Sequence, residues 1–350
     1  MNSSEEKLLV NVLYKPESEI LNGVEINVIN FDNLIKLASR HLMLPALFFN
    51  INKKNISYLF PKDFVEYIKN IYSINKARNT VLLNEAKELS ELLYENNINH
   101  IFLKGTALLL SNIFEDIGER MIGDIDFIIQ HKDKQKVEKV LEKNNWFTSD
   151  IVLGFKIFKH KHLPRMVNKN KTIAIEPHLE LLSPGWRGNF NSKKLINTFK
   201  DKTKTIKTPS KPFLFDHCIN ALQIEDRRFF NSHHSHRSVY DIYRLDCKKS
   251  LTIKNIKKDI FIKHFFITID KFKIFDIHVN DNLFNLYFDK LYRAVIKSQL
   301  SILSSRVFSI FKQLINLFVS SAYRKHVLNK ISNHYYNKTL LNYLYTWLKA

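Results

Sequence analysis

Two aspartates separated by one residue, Asp124 and Asp126 in MIGDIDFIIQ, follow Gly105 of IFLKGTALLL, with Asp124 nineteen residues after the glycine. Side chains two residues apart in a strand share a face, so a strand over residues 122 to 130 brings both carboxylates to one side. Neighbouring carboxylates suit Mg²⁺, which prefers oxygen ligands and retains positions for water and substrate phosphates. The pair therefore predicts a strand that ends in a metal-dependent phosphate-transfer site.

The segment before the aspartates predicts a phosphate-binding turn. Residues 99 to 103 have the pattern of a buried strand, Gly105 of a tight turn, and Thr106 onward of an apolar helix. Backbone N–H groups at such a helix start favour a bound triphosphate. The chain has only seven glycines, and Gly105, Gly118 and Gly123 lie between the strand and the acidic pair. We expect unusual backbone conformations at these three glycines.

A third carboxylate is expected from an adjacent strand, because in-line phosphoryl transfer with two metals needs a ligand near the attacking hydroxyl. TIAIEPHLEL provides Glu176 after a strand-like run, and residues 153–167 could pair with that run as the other arm of a hairpin. Glu180 lies on the same nominal face, and Pro177 leaves the strand phase beyond Glu176 open. Glu176 is the first choice and Glu180 the alternative; Glu176 could also simply end an edge strand.

Three runs resemble a known family: NNINHIFLKGTALL, then ERMIGDIDFII, then IEPHLEL. They are similar to the bacterial uncharacterised nucleotidyltransferase family, a branch of the DNA polymerase β-like nucleotidyltransferase superfamily. The resemblance covers residues 30 to 250 and includes HRSVYDIYRL, which is similar to a later family helix bearing an Arg and an Asp. It implies a small mixed sheet, a glycine turn on the triphosphate, three acids on two Mg²⁺ ions, and nucleotidyl transfer from an NTP to a hydroxyl.

Under this resemblance, seven positions match functional residues of the family: Lys104, Gly105, Thr106, Asp124, Asp126, Glu176 and His178. The first three match the phosphate turn and its preceding basic residue, the next three the metal ligands, and the last a histidine two residues beyond the third acid. The sequence departs from the pattern in three places. The superfamily prefers Gly or Ser at Thr106, and the family usually has Asp at Glu176 and an aromatic residue at Leu179. The departure at Glu176 puts the third ligand, and with it catalysis, in question.

Other charged residues have two interpretations each. Arg120 could bind the triphosphate through its planar guanidinium or offset nearby acids. Lys104 could also be a solvated loop charge, and His178 could orient a carboxylate, contact the acceptor, or be a structural histidine. Arg237 and Asp241 lie four residues apart on a predicted helix. For these two we expect a surface ion pair rather than an arginine directed at the nucleotide.

Two other kinds of site are disfavoured. Five histidines invite a transition-metal interpretation: His160, His162, His233, His234 and His236. They lie in basic or loop-like stretches and the chain has no Cys-x-x-Cys, so we do not expect a zinc site there. A P-loop kinase is disfavoured because no G-x-x-x-x-G-K-[ST] motif occurs and Lys104-Gly105-Thr106 has the reverse order.

Composition places the protein in a reducing, aqueous compartment. The chain has 350 residues, 45% of them hydrophobic, and two cysteines. It starts with the polar MNSSEEK, so we expect a cytoplasmic protein without a signal peptide or disulfide framework. The longest apolar stretch, residues 300–323, is interrupted by Arg306 and Lys312 and predicts an amphipathic helix rather than a transmembrane segment.

Positive charge is concentrated in the second half of the chain. Residues 1–175 carry 24 Lys and Arg against 21 Asp and Glu, and residues 176–350 carry 30 against 13, a balance of +17. Such a surface could attract RNA, polyphosphate, an acidic membrane or an acidic partner protein. Lysine excess from a compositional bias gives the same pattern, and no recognisable nucleic-acid-binding motif accompanies it.

These observations predict an α+β fold in which a small mixed β-sheet nucleotidyltransferase core is flanked by helical N-terminal and C-terminal regions. The expected divisions are a helical region 1–97, the core 98–182, a linker 183–212, and a basic helical region 213–350. The expected activity is Mg²⁺-dependent transfer of a nucleoside monophosphate from an NTP to a hydroxyl on a small metabolite or saccharide, a protein side chain or an RNA end. The alternative is a catalytically degenerate nucleotide- or RNA-binding protein that acts through its basic helices.

Overall fold

The structure is a computed structural model that describes the following residues: 3–149, 160–182, 190, 192–198, 206–226, 228, 234–246, 259–275, 318, 321 and 324. The chain divides into two compact units, one of residues 1–151 and 160–280 and the other of residues 152–159 and 281–350. Every described residue except 318, 321 and 324 belongs to the first unit. Half of the predicted linker, His233, Cys247 and all but three residues of the predicted helices beyond residue 281 lie outside the described residues, so those expectations stay predictions.

The N-terminal region is helical, as the sequence predicted. It comprises α1 (Ser4–Tyr14), α2 (Phe31–Arg40), α3 (Leu44–Lys53) and α4 (Lys62–Glu95). Pro45 lies in the first turn of α3 and Pro61 is the N-cap of α4, positions where a missing N–H costs little, so both prolines mark helix boundaries as expected. Among the described residues no single helix is both long and apolar enough to cross a membrane; α2 and α3 pass that test only jointly, and they meet at 118°.

The described strands form one mixed five-stranded sheet of order β1-β2-β5-β4-β3. Its strands are β1 (His100–Phe102), β2 (Ile125–Ile129), β3 (Trp146–Thr148), β4 (Met166–Asn168) and β5 (Ile175–His178). β2 and β5 are parallel and the other pairs are antiparallel. The α+β prediction and the predicted β4–β5 hairpin are both confirmed. β2 is three residues shorter at its start than expected, so Asp124 precedes the strand.

Helices cover the sheet and continue after it. They are α5 (Lys104–Leu110), α6 (Lys134–Lys143), α7 (Ser192–Thr198), α8 (Lys211–Ile224), α9 (His236–Leu245) and α10 (Ile260–Ile269). All five residues of β2 are buried, because apolar side chains cover both of its faces. Burial of an apolar side chain stabilises by about 1.5–3 kcal/mol, so this central strand is firmly held. Asp126, the predicted site residue of this strand, is therefore firmly positioned.

α4 holds the polypeptide on both sides of the central strand. The Glu85 carboxylate accepts hydrogen bonds from Thr172 N and Ile173 N at 2.8 and 3.0 Å, which satisfies two backbone donors just before β5. Arg78 donates to the carbonyls of Ile122 and Gly123, directly before Asp124. Since buried backbone groups need partners, these contacts fix the entry of both strands.

The turn between β1 and α5 differs from expectation. None of the three glycines has a positive φ; the left-handed residue is Lys104, with φ +49°, and α5 begins at Lys104, two residues earlier than predicted. A Cβ on Gly105 would lie 3.1–3.2 Å from three side-chain atoms of Ile122, and one on Gly118 would lie 2.7 Å from the Tyr72 ring. Gly105 and Gly118 thus provide space rather than unusual dihedral angles, and a Cβ on Gly123 would meet nothing within 4 Å.

Candidate active site

Parallel pairing of β2 with β5 places two of the predicted acids beside each other. In this register Asp126 lies opposite Glu176, and Ile128 lies opposite His178. Asp126 is buried, whereas Glu176 keeps 19% of its side chain exposed. Ligand atoms of Asp126, Glu176 and His178 all lie within 4.8 Å of one another. The strand register therefore gathers one buried carboxylate, one accessible carboxylate and one imidazole.

Lys104 supplies the positive charge of this cluster. Its Nζ lies 2.6 Å from Asp126 Oδ1 and 4.0 Å from Glu176 Oε2. The backbone explains the placement, because Leu103 N donates to Asp126 O at 2.9 Å and Lys104 follows in a left-handed conformation. Burial alone would lower the pKa of Lys104, but the attraction of Asp126 outweighs it and raises that pKa. Lys104 is thus an ion-paired residue rather than a solvated loop charge.

His178 contacts the same oxygen from the other side. Its Nε2 lies 2.8 Å from Asp126 Oδ1, and burial lowers the pKa of His178 to about 4, so the ring is neutral at physiological pH. A neutral ring beside an ionised carboxylate donates from Nε2, which leaves Nδ1 as an acceptor; Nδ1 has no hydrogen-bond partner among the described residues. This contact orients Asp126, one of the roles that the sequence left open for the histidine.

Electrostatics differ between the two aspartates. Burial would raise the pKa of Asp126, but the charge of Lys104 and the hydrogen bond from His178 hold it well below its usual range. Burial, followed by repulsion from Asp126 and Glu176, raises the pKa of Asp124 to about 6. The Asp124 carboxylate lies outside the 4.8 Å group, with Oδ2 at 3.8 Å from Arg165 Nε. The site therefore has more negative charge than its nearby cations balance.

Thr106 and Glu180 each make hydrogen bonds outside the cluster of Asp126, Glu176 and His178. Thr106 Oγ1 donates to Asp124 O at 3.2 Å, which ties α5 to the residue before β2. Glu180 Oε1 lies 2.8 Å from His131 Nε2, and Glu180 Oε2 accepts from Ser192 at 3.3 Å. Of the two glutamates that the sequence could not separate, Glu176 lies beside Asp126 and Glu180 pairs elsewhere.

The predicted arginine assignments are different in the structure. Arg120 Nε and Nη2 donate to the two oxygens of Asp241 at 2.7 and 2.8 Å, and both residues are buried. The expected surface ion pair of Arg237 with Asp241 is therefore wrong, because Asp241 is buried and Arg120 occupies both of its oxygens. The planar guanidinium of Arg120 is committed to this pair instead of to the space beside Asp124.

Arg237 lies one turn before Asp241 on α9 and is half-buried. Burial and the charge of Arg120 lower its pKa, while Asp241, Asp226 and Asp124 act in the opposite direction. Its Nε is buried and has no hydrogen-bond partner within the described part of the chain. Asp124 has the smallest effect of these three carboxylates, so a role of Arg237 at the nucleotide stays a prediction.

The comparison with protein families now bears on these residues. A family model described as uncharacterised nucleotidyltransferase matches residues 27–251, nearly two thirds of the chain. The chain belongs to this nucleotidyltransferase family. The match includes α2 to α9, so it contains Asp124, Asp126, Glu176 and Arg237, and it confirms the resemblance seen in the sequence. No curated protein matches the chain.

Sequence reasoning missed two contacts of this nucleotidyltransferase. Arg165, which lies 3.8 Å from Asp124, was noticed only as part of the hairpin arm, and its position follows from the β4–β5 register that the sequence did not give. The Arg120–Asp241 pair joins residues 121 positions apart, and no local spacing rule reports such a contact. A paired substitution pattern in relatives is the signal that would have revealed it.

Proposed function

We propose that this nucleotidyltransferase moves a nucleoside monophosphate from an NTP to an acceptor hydroxyl with the help of Mg²⁺. The observation that carries the proposal is the side-by-side placement of Asp126 and Glu176 on parallel strands, with Lys104 between them. Asp124 lies one position before β2 at the same end of the strands. Three carboxylates and an ammonium group at one sheet end form a site suited to a charged phosphate substrate.

The donor set fits magnesium. Asp124, Asp126 and Glu176 offer the carboxylate oxygens that Mg²⁺ prefers, and they would hold the two ions. Both close contacts of Asp126, from Lys104 and His178, fall on Oδ1, so among the described residues Oδ2 keeps its lone pairs for a ligand. The pKa of Asp124 is raised mainly by burial and further by repulsion from Asp126 and Glu176, and a bound cation would offset both effects. When bound, Mg²⁺ would neutralise phosphate charge and orient the triphosphate.

The residues between β1 and α5 are proposed to position the triphosphate. Gly105 and Thr106 lie in the first turn of α5, where backbone N–H groups have no helical partner. The Lys104 side chain is 36% exposed, and its ammonium group is proposed to turn from Asp126 toward a phosphate oxygen. Arg237, with its unsatisfied Nε, is the proposed accessory phosphate ligand in place of Arg120. Positioning and electrostatic stabilisation would supply most of the rate.

Glu176 is proposed to act at the acceptor. Its side chain keeps 19% of its surface exposed beside the buried Asp126, and its contacts to Lys104 and His178 are long, at 4.0 and 3.8 Å. In the transfer, the acceptor oxygen bonds to the α-phosphorus while the bond from that phosphorus to the bridging oxygen breaks and pyrophosphate leaves. Glu176 takes the proton of the hydroxyl, and His178 keeps Asp126 oriented throughout.

The acceptor class and the partners stay proposals. A small metabolite or saccharide, a protein side chain and an RNA end each carry a suitable hydroxyl. The balance of +17 over residues 176–350 supports an acidic acceptor or partner, RNA included, because lysine and arginine bind phosphates. A cytoplasmic location is consistent with such partners and is likewise a proposal.

The test is a labelling reaction with the full-length protein. We expect incubation with each α-labelled NTP, Mg²⁺ and cell extract to release pyrophosphate and to label a product, whose sensitivity to protease or nuclease gives the acceptor class. Asp126→Asn should reduce labelling by two orders of magnitude or more, since it removes a buried charge that the site is built around. Asp32→Asn is the matched control, because Asp32 is exposed on α2. Undiminished labelling by Asp126→Asn would eliminate the proposed role.

One observation favours the alternative of a catalytically degenerate binding protein. Lys104 Nζ already lies 2.6 Å from Asp126, where it offsets the charge that a metal ion would offset. If that ion pair persists with substrate, the protein binds nucleotide without Mg²⁺ and forms no product. Calorimetric titration of NTP with and without Mg²⁺ separates the two functions, because only the enzyme shows metal-dependent affinity together with pyrophosphate release.

A further inference from the structure

Two histidines at the start of α9 meet a glutamate of α1. Glu6 Oε1 lies 2.9 Å from His234 Nε2 and 3.1 Å from His236 Nε2, and the two Nε2 atoms are 3.3 Å apart. His236 is completely buried, whereas His234 and Glu6 each expose 14% of the side chain. Glu6 also lies outside residues 27–251, so this cluster is a feature of this chain rather than of the matched family segment.

Hydrogen bonding alone accounts poorly for this geometry. If both imidazoles donate to Oε1, their two N–H groups converge on one oxygen while their nitrogens are only 3.3 Å apart. If one imidazole does not donate, the lone pair on its Nε2 lies beside Glu6 Oε1 with no proton between the two atoms. Three ligand atoms within 3.3 Å of one another are better satisfied by a cation, because each can then offer a lone pair.

The distances fit a tetrahedral metal site. A metal ion about 2.0–2.1 Å from each of its ligands separates tetrahedral ligand atoms by about 3.3–3.4 Å. The three separations here are 2.9, 3.1 and 3.3 Å, so ligand movements of a few tenths of an ångström complete the site. Two imidazoles and one carboxylate form a known donor set for zinc with an open fourth position. Nitrogen ligands also exclude Mg²⁺ and Ca²⁺ as the preferred occupants.

We propose that Glu6, His234 and His236 bind a divalent transition-metal ion of the Zn²⁺ class that fastens α1 to the start of α9. The expectation that these histidines form no metal site rested on loop-like surroundings and missing cysteines. It did not consider a ligand 228 residues away from His234. The proposal is independent of nucleotidyl transfer.

The surroundings are compatible with metal binding. His236 Nδ1 is buried and has no hydrogen-bond partner among the described residues, so no contact fixes a proton on Nε2. The His41 ring packs 4.8 Å from that of His236, and its Nδ1 accepts a hydrogen bond from His236 N at 3.4 Å. Phe272 covers both ligand rings, at 4.7 Å from His234 and 5.2 Å from His236. Aromatic walls limit competition from water and favour retention of an ion.

The experiment measures metal content directly. Full-length protein is treated with a chelator, exchanged into Mg²⁺-containing buffer, and titrated with Co²⁺ or Zn²⁺ while bound metal, Co²⁺ absorption and the midpoint of thermal unfolding are recorded. We expect wild-type protein to bind one equivalent that excess Mg²⁺ does not displace, with a Co²⁺ spectrum typical of low coordination number and a raised midpoint. His234→Gln and Glu6→Gln should each lose that equivalent.

Two controls locate the ion. His131→Gln should retain the bound ion. His131 contacts Glu180 much as His234 contacts Glu6, but it lies outside the proposed cluster. Asp126→Asn should also retain it, which separates this ion from metal bound at the candidate active site. The far-ultraviolet circular dichroism of each variant reports folding, and the isosteric Glu6→Gln decides the matter if His234→Gln does not fold.

Three results would overturn the proposal: no transition metal in excess of background, equal binding by wild type and Glu6→Gln, or loss of the bound equivalent in Asp126→Asn. Failure of the labelling reaction leaves this test unaffected, because metal content and spectrum do not depend on turnover. Conversely, loss of the ion in Glu6→Gln says nothing in favour of nucleotidyl transfer, so the two proposals fail separately.

Discussion

The buried pair of Arg120 and Asp241 allows a quantitative prediction. Both oxygens of Asp241 accept hydrogen bonds from the guanidinium, at 2.7 and 2.8 Å, and the two side chains expose only 10% and 7% of their surfaces. Asp241→Ala leaves a buried cation that retains the Met121 carbonyl as its contact. Breaking a buried ion pair from one side costs about 3–5 kcal/mol, so we expect the free energy of unfolding to fall by that amount.

Urea unfolding followed by circular dichroism measures this change. The matched control is Glu88→Gln, which removes the exposed pair with Lys171 and should change the free energy of unfolding by less than about 1 kcal/mol. The double variant Arg120→Met/Asp241→Leu replaces the pair with apolar side chains and should be less destabilised than Asp241→Ala. A double-mutant cycle then gives the coupling energy of the pair directly.

A small effect would refute the reasoning. If Asp241→Ala changes the free energy of unfolding by less than about 1 kcal/mol, the pair is not the buried, desolvated contact that the geometry describes. If Arg120→Lys leaves stability unchanged but weakens NTP binding at least tenfold, Arg120 serves the triphosphate, as one of its sequence interpretations held. The structure predicts the opposite: Arg120→Lys should mainly lower the free energy of unfolding rather than weaken NTP binding.

Three further outcomes follow from single residues. The pKa of Asp124 is raised from 3.8 to about 6, so ionisation of this carboxyl destabilises the folded protein as pH rises through that range. Asp124→Asn should therefore stabilise the metal-free protein at pH 7 by up to about 3 kcal/mol. Urea unfolding at pH 4 should show no such gain. Burial lowers the pKa of His100 to about 4 in the folded protein, so the unfolded chain binds more protons between pH 6.5 and 4. The free energy of unfolding should therefore fall by about 3 kcal/mol as pH drops through this window. In His100→Gln the pH dependence of the free energy of unfolding should correspond to one proton fewer. Gly105→Ala should destabilise by about 1–2 kcal/mol because its Cβ crowds Ile122, and the cost measured by thermal unfolding should shrink in an Ile122→Ala background.

The strands of the site were readable because their signals are local. Apolar runs around residues 99–103 and 122–130 predicted β1 and β2, and the chemistry of two-metal phosphoryl transfer predicted a third acid on an adjacent strand. The choice between Glu176 and Glu180 needed one more fact, the end of β5. The register pairs Asp126 with Glu176, and β5 stops at His178, so Glu180 lies past the end of the strand and pairs with His131.

Contacts between distant segments were not readable. The rule that residues four apart on a helix interact predicted Arg237 with Asp241, but a buried carboxylate pairs with whichever cation the fold brings to it, here Arg120. The glycine rule failed in a similar way. Lys104 adopts the left-handed conformation despite its side chain, and its ion pair with Asp126 offsets part of the cost, whereas Gly105 is needed for its small volume.

The segment before Asp124 shows why the flanking helices matter to the site. Asn75 and Asn79 of α4 both donate to Arg120 O. Arg78 donates to Ile122 O and Gly123 O. Asp241 of α9 accepts hydrogen bonds from the Arg120 side chain. Residues 120–123 form no strand of their own, so without these partners several buried backbone groups would be left unsatisfied, at about 1–3 kcal/mol each. The position of Asp124 therefore depends on α4 and α9 as much as on the sheet. A fragment limited to residues 98–182 would keep the acidic residues but would lose the contacts that position Asp124.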